Sequence, residues 1–199
     1  METKVFLTRH CQPDLSNHDD RSRGLSPKGL QDCQLVSQFL REREIDCIYS
    51  SPYQRALATI KPFAKEVNLP IHLEEDFRER EISQHWIDDF DGFVRKQWLD
   101  FHFKLPQGES LKEVQARNVR RLTEVIKQEQ GNTILIASHG TAIASIVHFI
   151  DQSFGLDDFL AIKTLMPFIA ELVFTKEANC RSITLHNLFN HQKRLLFSL

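Results

Sequence analysis

The sequence predicts a three-layer α/β/α sandwich with a mostly parallel central sheet and a small helical cap insertion. Three observations carry this. Short, wholly apolar strand candidates alternate with amphipathic helices along the 199 residues. The strands are apolar on every residue, as in a parallel sheet covered on both faces. Three of them, "VFLTRH", "CIYSSPYQR" and "ILIASHG", end abruptly in charged or polar groups. In such sheets the binding crevice lies beyond the carboxyl ends of the strands.

The elements follow in order. "KVFLTR" is a short strand, and "LSPKGLQDCQLVSQFLRERE" a helix with Ser26 as N-cap and Pro27 at its first position. Leu30, Cys33, Val36, Phe39 and Leu40 recur at helical spacing along it. "IDCIYSS" is a second strand. "PYQRALATIKPFAKEVN" reads as a helix opened by Pro52, with Pro62 expected to kink or interrupt it. "IHLEEDF" supplies a short edge strand. "SLKEVQARNVRRLTEVIKQEQG" carries a capping box, Ser110 with Glu113, an apolar face and Gly131 as C′ residue. "NTILIASHG" is an apolar strand leading into the helix "TAIASIVHFI", and "IAELVFTKE" and "RSITLHNLF" are two strands around a turn.

No repeat, low-complexity tract or linker divides the chain, which reads as one domain, 1–199, with the cap at 82–108. In "HWIDDFDGFVRKQWLDFHF", Trp86, Phe90, Phe93, Val94, Trp98 and Phe101 recur near helical spacing. That stripe predicts a helix packed on the main domain, and one ring of it can also line a leaving-group pocket.

A hydrophobic fraction of 41% and a charged fraction of 26% are those of a globular chain with a full core. The net charge of −2 gives no footprint for nucleic acid and no polybasic membrane patch. The N-terminal apolar run is short for a signal peptide, and no stretch reaches membrane-spanning length. The four cysteines, Cys11, Cys33, Cys47 and Cys180, form no C-x-x-C pair, and no zinc pattern occurs among the nine histidines. A cytoplasmic chain with free thiols and no metal or other cofactor is the resulting expectation. Oligomeric state is not readable.

If the three strands lie side by side, Arg9, His10, Arg55 and His139 converge at one sheet edge. Two guanidinium groups offer planar forks to phosphate oxygens. A histidine with one unprotonated ring nitrogen is a nucleophile toward phosphorus, and neighbouring cations favour the neutral imidazole. A carboxylic acid whose proton affinity is raised by burial or substrate charge would protonate the leaving oxygen.

"LTRHC", "YSSPYQRALAT", "GESLKEVQAR" and "ASHGTA", in this order, resemble the histidine phosphatase superfamily, the phosphoglycerate mutase-like fold. The resemblance spans essentially the whole chain. It implies that His10 is the phosphorylated histidine, with Arg9, Arg55 and His139 holding phosphoryl oxygens and Gly140, at the helix start, a further substrate-binding residue. It also implies a glutamate as proton donor, matched best by Glu79 in "DFRERE", with Glu81 as the alternative two residues on. The expected activity is metal-independent hydrolysis of small phosphate esters. Mutase-type phosphoryl transfer and a non-catalytic phosphate-binding regulatory module are the alternatives. Cys11 stands where the family has glycine, and "REISQHW" lacks a Gly-x-x-Glu-Gly run. Cys11 reads as a tolerated small residue or as a thiol whose proton affinity two neighbouring cations lower. His18, His72, His85, His102, His148, His186 and His191 read as surface or packing residues, and Ser110 and Arg117 as structural.

Overall fold

The computed structural model describes residues 2–84 and 87–198, so His85 and Trp86 of the predicted cap lie outside the described residues. A seven-stranded sheet runs through the centre in the order β3-β2-β4-β1-β5-β6-β7. Its strands are β1 (Thr3–Arg9), β2 (Cys47–Ser50), β3 (Ile71–Leu73), β4 (Thr133–Ser138), β5 (Phe168–Phe174), β6 (Cys180–Asn187) and β7 (Lys193–Ser198). The first four pair in parallel, and β5, β6 and β7 add antiparallel beyond β1. β5 follows α5 (Gly140–Ile150) and α6 (Leu156–Ile162) and enters antiparallel to β1, and the short turns at Thr175–Asn179 and after Asn187 then allow β6 and β7 only an antiparallel return.

Strand alternation sorts the apolar runs into two cores. Phe6, Ile48, Leu135 and Ala137 face α1 (Pro27–Leu40) and α2 (Gln54–Val67), with Val36, Leu40, Ile60 and Phe63. Val5, Leu7, Ile134 and Ile136 face the other way, toward α4 (Leu111–Gln128) and α5 (Gly140–Ile150), with Leu122, Val125, Ile143 and Ile146. That double coverage is why the strands read as unbroken hydrophobic runs.

The predicted caps form. Ser26 Oγ accepts from the Gly29 amide at 3.0 Å, and Ser110 and Glu113 make the reciprocal capping box. Four local expectations shift. Leu30 is 58% exposed, and Gly29 takes the inner face instead, where a Cβ would lie 2.1 Å from the Gln12 carbonyl oxygen. Pro52 sits in a turn, and α2 starts only at Gln54 after the Tyr53 amide has bonded to Ser51 Oγ. Pro62 does not interrupt α2; the Ala58 carbonyl that its missing N–H would leave open accepts from Cys33 Sγ at 3.7 Å. α4 ends at a Glu129 C-cap, so Gly131, with φ of 86°, lies two residues past it.

Among the described residues of the 82–108 segment there is one helix, α3 (Phe90–Leu99), capped by Asp89. Val94 and Trp98 are buried in the core against the sheet, while Phe90 is exposed. Trp98 packs on Phe101, His148, Phe154 and Phe159, with ring centroids 5.4–6.2 Å apart. The aromatic stripe is thus chiefly packing. Two elements had no clear signal in the sequence, the short α6 (Leu156–Ile162) and strand β7. No helix among the described residues is long and apolar enough to cross a membrane.

Candidate active site

The carboxyl ends of β2, β4 and β1 lie side by side, with Ser50 opposite Ala137 and Ser138 opposite Arg9. The residues that follow each strand therefore meet above one edge of the sheet. His10 comes from β1, Ser51 to Arg55 from the end of β2 and start of α2, and His139 and Gly140 from β4 and α5.

His10 is buried, and two hydrogen bonds define its tautomer. Nδ1 lies 2.7 Å from the Cys11 carbonyl oxygen, which only accepts, so Nδ1 carries the proton. Arg55 Nε donates to Nε2 at 3.2 Å, so Nε2 is the unprotonated nitrogen, its lone pair engaged by Arg55. Burial first, then the charges of Arg55 and Arg9, hold the imidazole well below the usual histidine range. It is neutral at physiological pH.

Arg55 is 3% exposed. Its remaining nitrogens engage Asp20, NH1 on the carbonyl oxygen at 2.5 Å and NH2 on Oδ1 at 3.1 Å. Asp20 also pairs with Arg23 at 3.0 Å. Arg9 sends NH1 toward the carbonyl oxygens of Ile162, Lys163 and Leu165, at 3.2, 2.8 and 3.0 Å. Its Nε is buried without a partner, and burial lowers its pKa to about 10, leaving it a cation at neutral pH. Gly140 makes room for it: an added Cβ would lie 2.9 Å from Arg9 Cζ.

His139 is fully buried, its ring centroid 5.2 Å from that of His10 and 5.1 Å from that of Tyr53. Nε2 pairs with Ser51 Oγ at 2.8 Å, while Nδ1 is buried without a partner. Desolvation and then the nearby Arg55 charge push this imidazole, too, well below the ordinary range.

The two acidic candidates separate clearly. The Glu79 carboxylate seats on the start of α5, Oε2 accepting from the Thr141 amide at 3.1 Å and Oε1 from the Ala142 amide at 3.2 Å. The Arg80 amide adds a third bond to Oε1 at 2.9 Å. Glu79 thus stands one residue beyond His139 and Gly140, beside Arg9. Glu81 is exposed, and its backbone amide instead donates to Glu109 Oε2 at 3.0 Å.

Cys11 differs from one expectation. It is wholly buried, and a hydrogen bond with Cys33 together with burial holds its thiol above the ordinary range, so the flanking cations do not activate it. Its backbone needs no glycine, because the non-glycine residues with positive φ are Glu44, Asn68, Gln107, Ala178 and His191. Its amide donates to Thr59 Oγ1 at 2.9 Å.

Sequence reasoning passed over Ser51, Tyr53, Asp20 and Arg23. Ser51 and Tyr53 stand in the same "SSPYQR" segment as Arg55, so the strand end itself was the available signal. Asp20 and Arg23 arrive by a loop whose path nothing local dictates.

Comparison with known proteins agrees with this architecture. Residues 5–178 match the model of the histidine phosphatase superfamily, branch 1. A putative phosphoserine phosphatase 2 of Hydrogenobacter thermophilus is 26% identical over 156 residues, covering 72% of this chain and 76% of that protein. A probable phosphoglycerate mutase GpmB of Escherichia fergusonii is 28% identical over 157 residues, 72% of this chain and 73% of its own. Among solved structures, a mycobacterial glucosyl-3-phosphoglycerate phosphatase superposes with a TM-score of 0.73 at 18% identity, covering 100% of this chain and 99% of that one. The phosphoserine phosphatase of Entamoeba histolytica, in complex with 3-phosphoglyceric acid, gives a TM-score of 0.71 at 22% identity, covering 98% and 95%. With its strand-end histidines and arginines inside the matched span, the chain belongs to the histidine phosphatase superfamily.

Proposed function

We propose that this protein is a metal-independent phosphomonoesterase that hydrolyses small phosphate esters through a phosphohistidine on His10. Family membership and the phosphatase relatives support phosphatase activity. The single observation that carries the finer reading is the His10 tautomer: Nδ1 protonated on the Cys11 carbonyl, and Nε2 unprotonated, accepting from Arg55 beside a second histidine.

From that geometry the chemistry follows as two in-line displacements. Arg55 Nε releases Nε2 of His10, which attacks phosphorus as Glu79, entering the step protonated, gives its proton to the departing oxygen. The now ionised Glu79 takes a proton from water, which attacks the phosphohistidine and returns His10 to its neutral form. Arg9 and Arg55 carry the charge of the equatorial oxygens, with Arg55 exchanging its Asp20 contacts for the phosphoryl group. When Ser51 Oγ donates to Nε2 of His139, Nδ1 holds the proton and donates to a phosphoryl oxygen. The substrate class is a small phosphate monoester, and the protein is expected to act without nucleic acid or membrane.

The test is hydrolysis of p-nitrophenyl phosphate in EDTA by wild type, His10→Ala and Glu79→Gln. Activity should survive EDTA, fall by at least about 10³-fold in His10→Ala and persist in part in Glu79→Gln. Activity that needs an added divalent ion, or that survives loss of His10, would overturn the mechanism. Exchange of phosphate between two positions of a phosphoglycerate would favour a mutase. A wild type inert on sugar, nucleotide and glycerate phosphates alike would favour a regulatory binding module.

A further inference from the structure

The segment that carries Glu79 leaves the sheet after β3, passes through a 3₁₀ turn at Glu75–Phe77 and has no regular structure over residues 78–84. Backbone without a ladder does not fix a side chain by itself, so something outside the segment must hold it. Arg117, in the second turn of α4, does. All five of its N–H donors are used. Nε and NH2 grip Glu109 as a fork, at 2.8 Å to Oε1 and 2.9 Å to Oε2. NH1 donates to the carbonyl oxygens of Asp76 and Arg78 at 2.7 and 2.9 Å, and NH2 to that of Glu79 at 3.2 Å.

Glu109 completes the clamp from the other side. Its carboxylate accepts from Arg78 NH2 at 2.8 Å and from the Glu81 amide at 3.0 Å, and its own amide donates to the Glu81 carbonyl oxygen at 2.7 Å. The two strips of chain are so close that a Cβ on Gly108 would lie 2.1 Å from the Ile82 carbonyl oxygen. The ion pair is sheltered, with side-chain exposures of 8% for Arg117 and 17% for Glu109. Glu109 is itself fixed by the Ser110 cap that starts α4. Glu79 is therefore held at both ends, its backbone by α4 through Arg117 and its carboxylate by the amides that open α5.

The geometry points to Arg117 and Glu109 as the positioning pair that sets the proton donor of this enzyme. They act through the Glu79 backbone and touch neither phosphate nor His10. This rests on the reading of Glu79 as the donor. A lysine at 117 would keep the charge but supplies a single ammonium in place of a five-donor fork, so it cannot serve three carbonyls and a carboxylate together.

A positioning role makes a demand that a general structural role does not. In a double displacement kcat/KM reports only the steps up to departure of the leaving group. Misplacing the acid therefore hurts a poor leaving group far more than a good one. The experiment measures kcat/KM for p-nitrophenyl phosphate and phenyl phosphate in wild type, Glu79→Gln, Arg117→Lys and Glu109→Gln, with Arg120→Ala as control. Arg120 lies on the same helix and is itself exposed; it pairs with the Asp76 carboxylate and touches no carbonyl of residues 78–81.

Arg117→Lys should lose less than about threefold on p-nitrophenyl phosphate and about thirtyfold on phenyl phosphate, tracking Glu79→Gln in direction. Glu109→Gln, which keeps the side chain's size and one acceptor, should show the same pattern more weakly and decides the matter if Arg117→Lys does not fold. Arg120→Ala should leave the ratio of the two substrates unchanged. Equal losses on both substrates in Arg117→Lys and Glu109→Gln, with Glu79→Gln still discriminating, would overturn the positioning role alone. Failure of Glu79→Gln to discriminate would overturn the donor assignment and the inference with it.

Discussion

On the proposed mechanism, the residues that face the phosphate and the acid that faces the leaving group are built by different means. Arg9, His10 and His139 sit within one residue of a strand end, so backbone ladders on both sides place them, and burial removes alternatives. Glu79 arrives on irregular chain and is placed by side-chain bonds, its carboxylate on amides and its backbone on Arg117; the loop residue Asp20, on Arg55 and Arg23, is placed in the same way. A ladder tolerates little change in shape. Side-chain anchors can be exchanged one at a time, which suits the part of a site that must fit different leaving groups.

The sharpest way to break this contrast is Gly140→Ala. Its Cβ has nowhere to go, because Arg9 and the α5 backbone are both fixed. Turnover should fall by about 10²-fold, since a shift of about 1 Å in a positioned group costs that much. Steady-state kinetics on p-nitrophenyl phosphate would show it, and a loss under threefold would mean the strand-end half is more compliant than its ladders imply.

A second expectation concerns pH. His10 and His139 have folded pKa values well below the unfolded value, so the unfolded chain binds more protons as pH falls. Their contribution to stability is present above the ordinary histidine pKa and is lost as pH drops below it. Each adds a slope of up to about 1.4 kcal/mol per pH unit in that window. Urea unfolding of wild type and His10→Gln at pH 7 and pH 5 measures it; the variant should be less sensitive to acid, and equal slopes would refute the buried neutral state.

The smallest effect belongs to the loop. Asp20→Asn removes a carboxylate that competes for Arg55 but leaves its carbonyl bond intact. KM for a phosphate ester should fall by about two- to threefold with kcat nearly unchanged, a surface-pair magnitude. A large loss of kcat would instead make Asp20 part of the catalytic arrangement.

Legibility in the sequence divides along the same line. β1, β2 and β4 announce themselves because a strand covered on both faces must be apolar throughout, and their polar ends then stand out. The Ser26 and Ser110 caps are equally local. α6 is short, and it is stabilised by contacts that no neighbouring residue encodes, among them its last carbonyls on Arg9. β7 starts with Lys193 and Arg194 because it is an edge, and an edge strand carries charge where a central one cannot. Arg117 looked structural from α4 alone; only the tertiary path of the 76–81 segment shows which carbonyls it serves.

Arg9 has a second employment that bears on how such chains are judged. Its guanidinium fastens the crossing from α6 toward β5, the point where the parallel half of the sheet gives way to the antiparallel half. A descendant that abandoned catalysis would still need that fastening to keep its shape. The presence of this arginine in a related chain is therefore poor testimony that the chain still turns over substrate. The His10 imidazole is hydrogen-bonded to the neighbouring Cys11 carbonyl and to Arg55, with no such fastening of a distant crossing. On the proposed mechanism, its retention is the better witness to turnover.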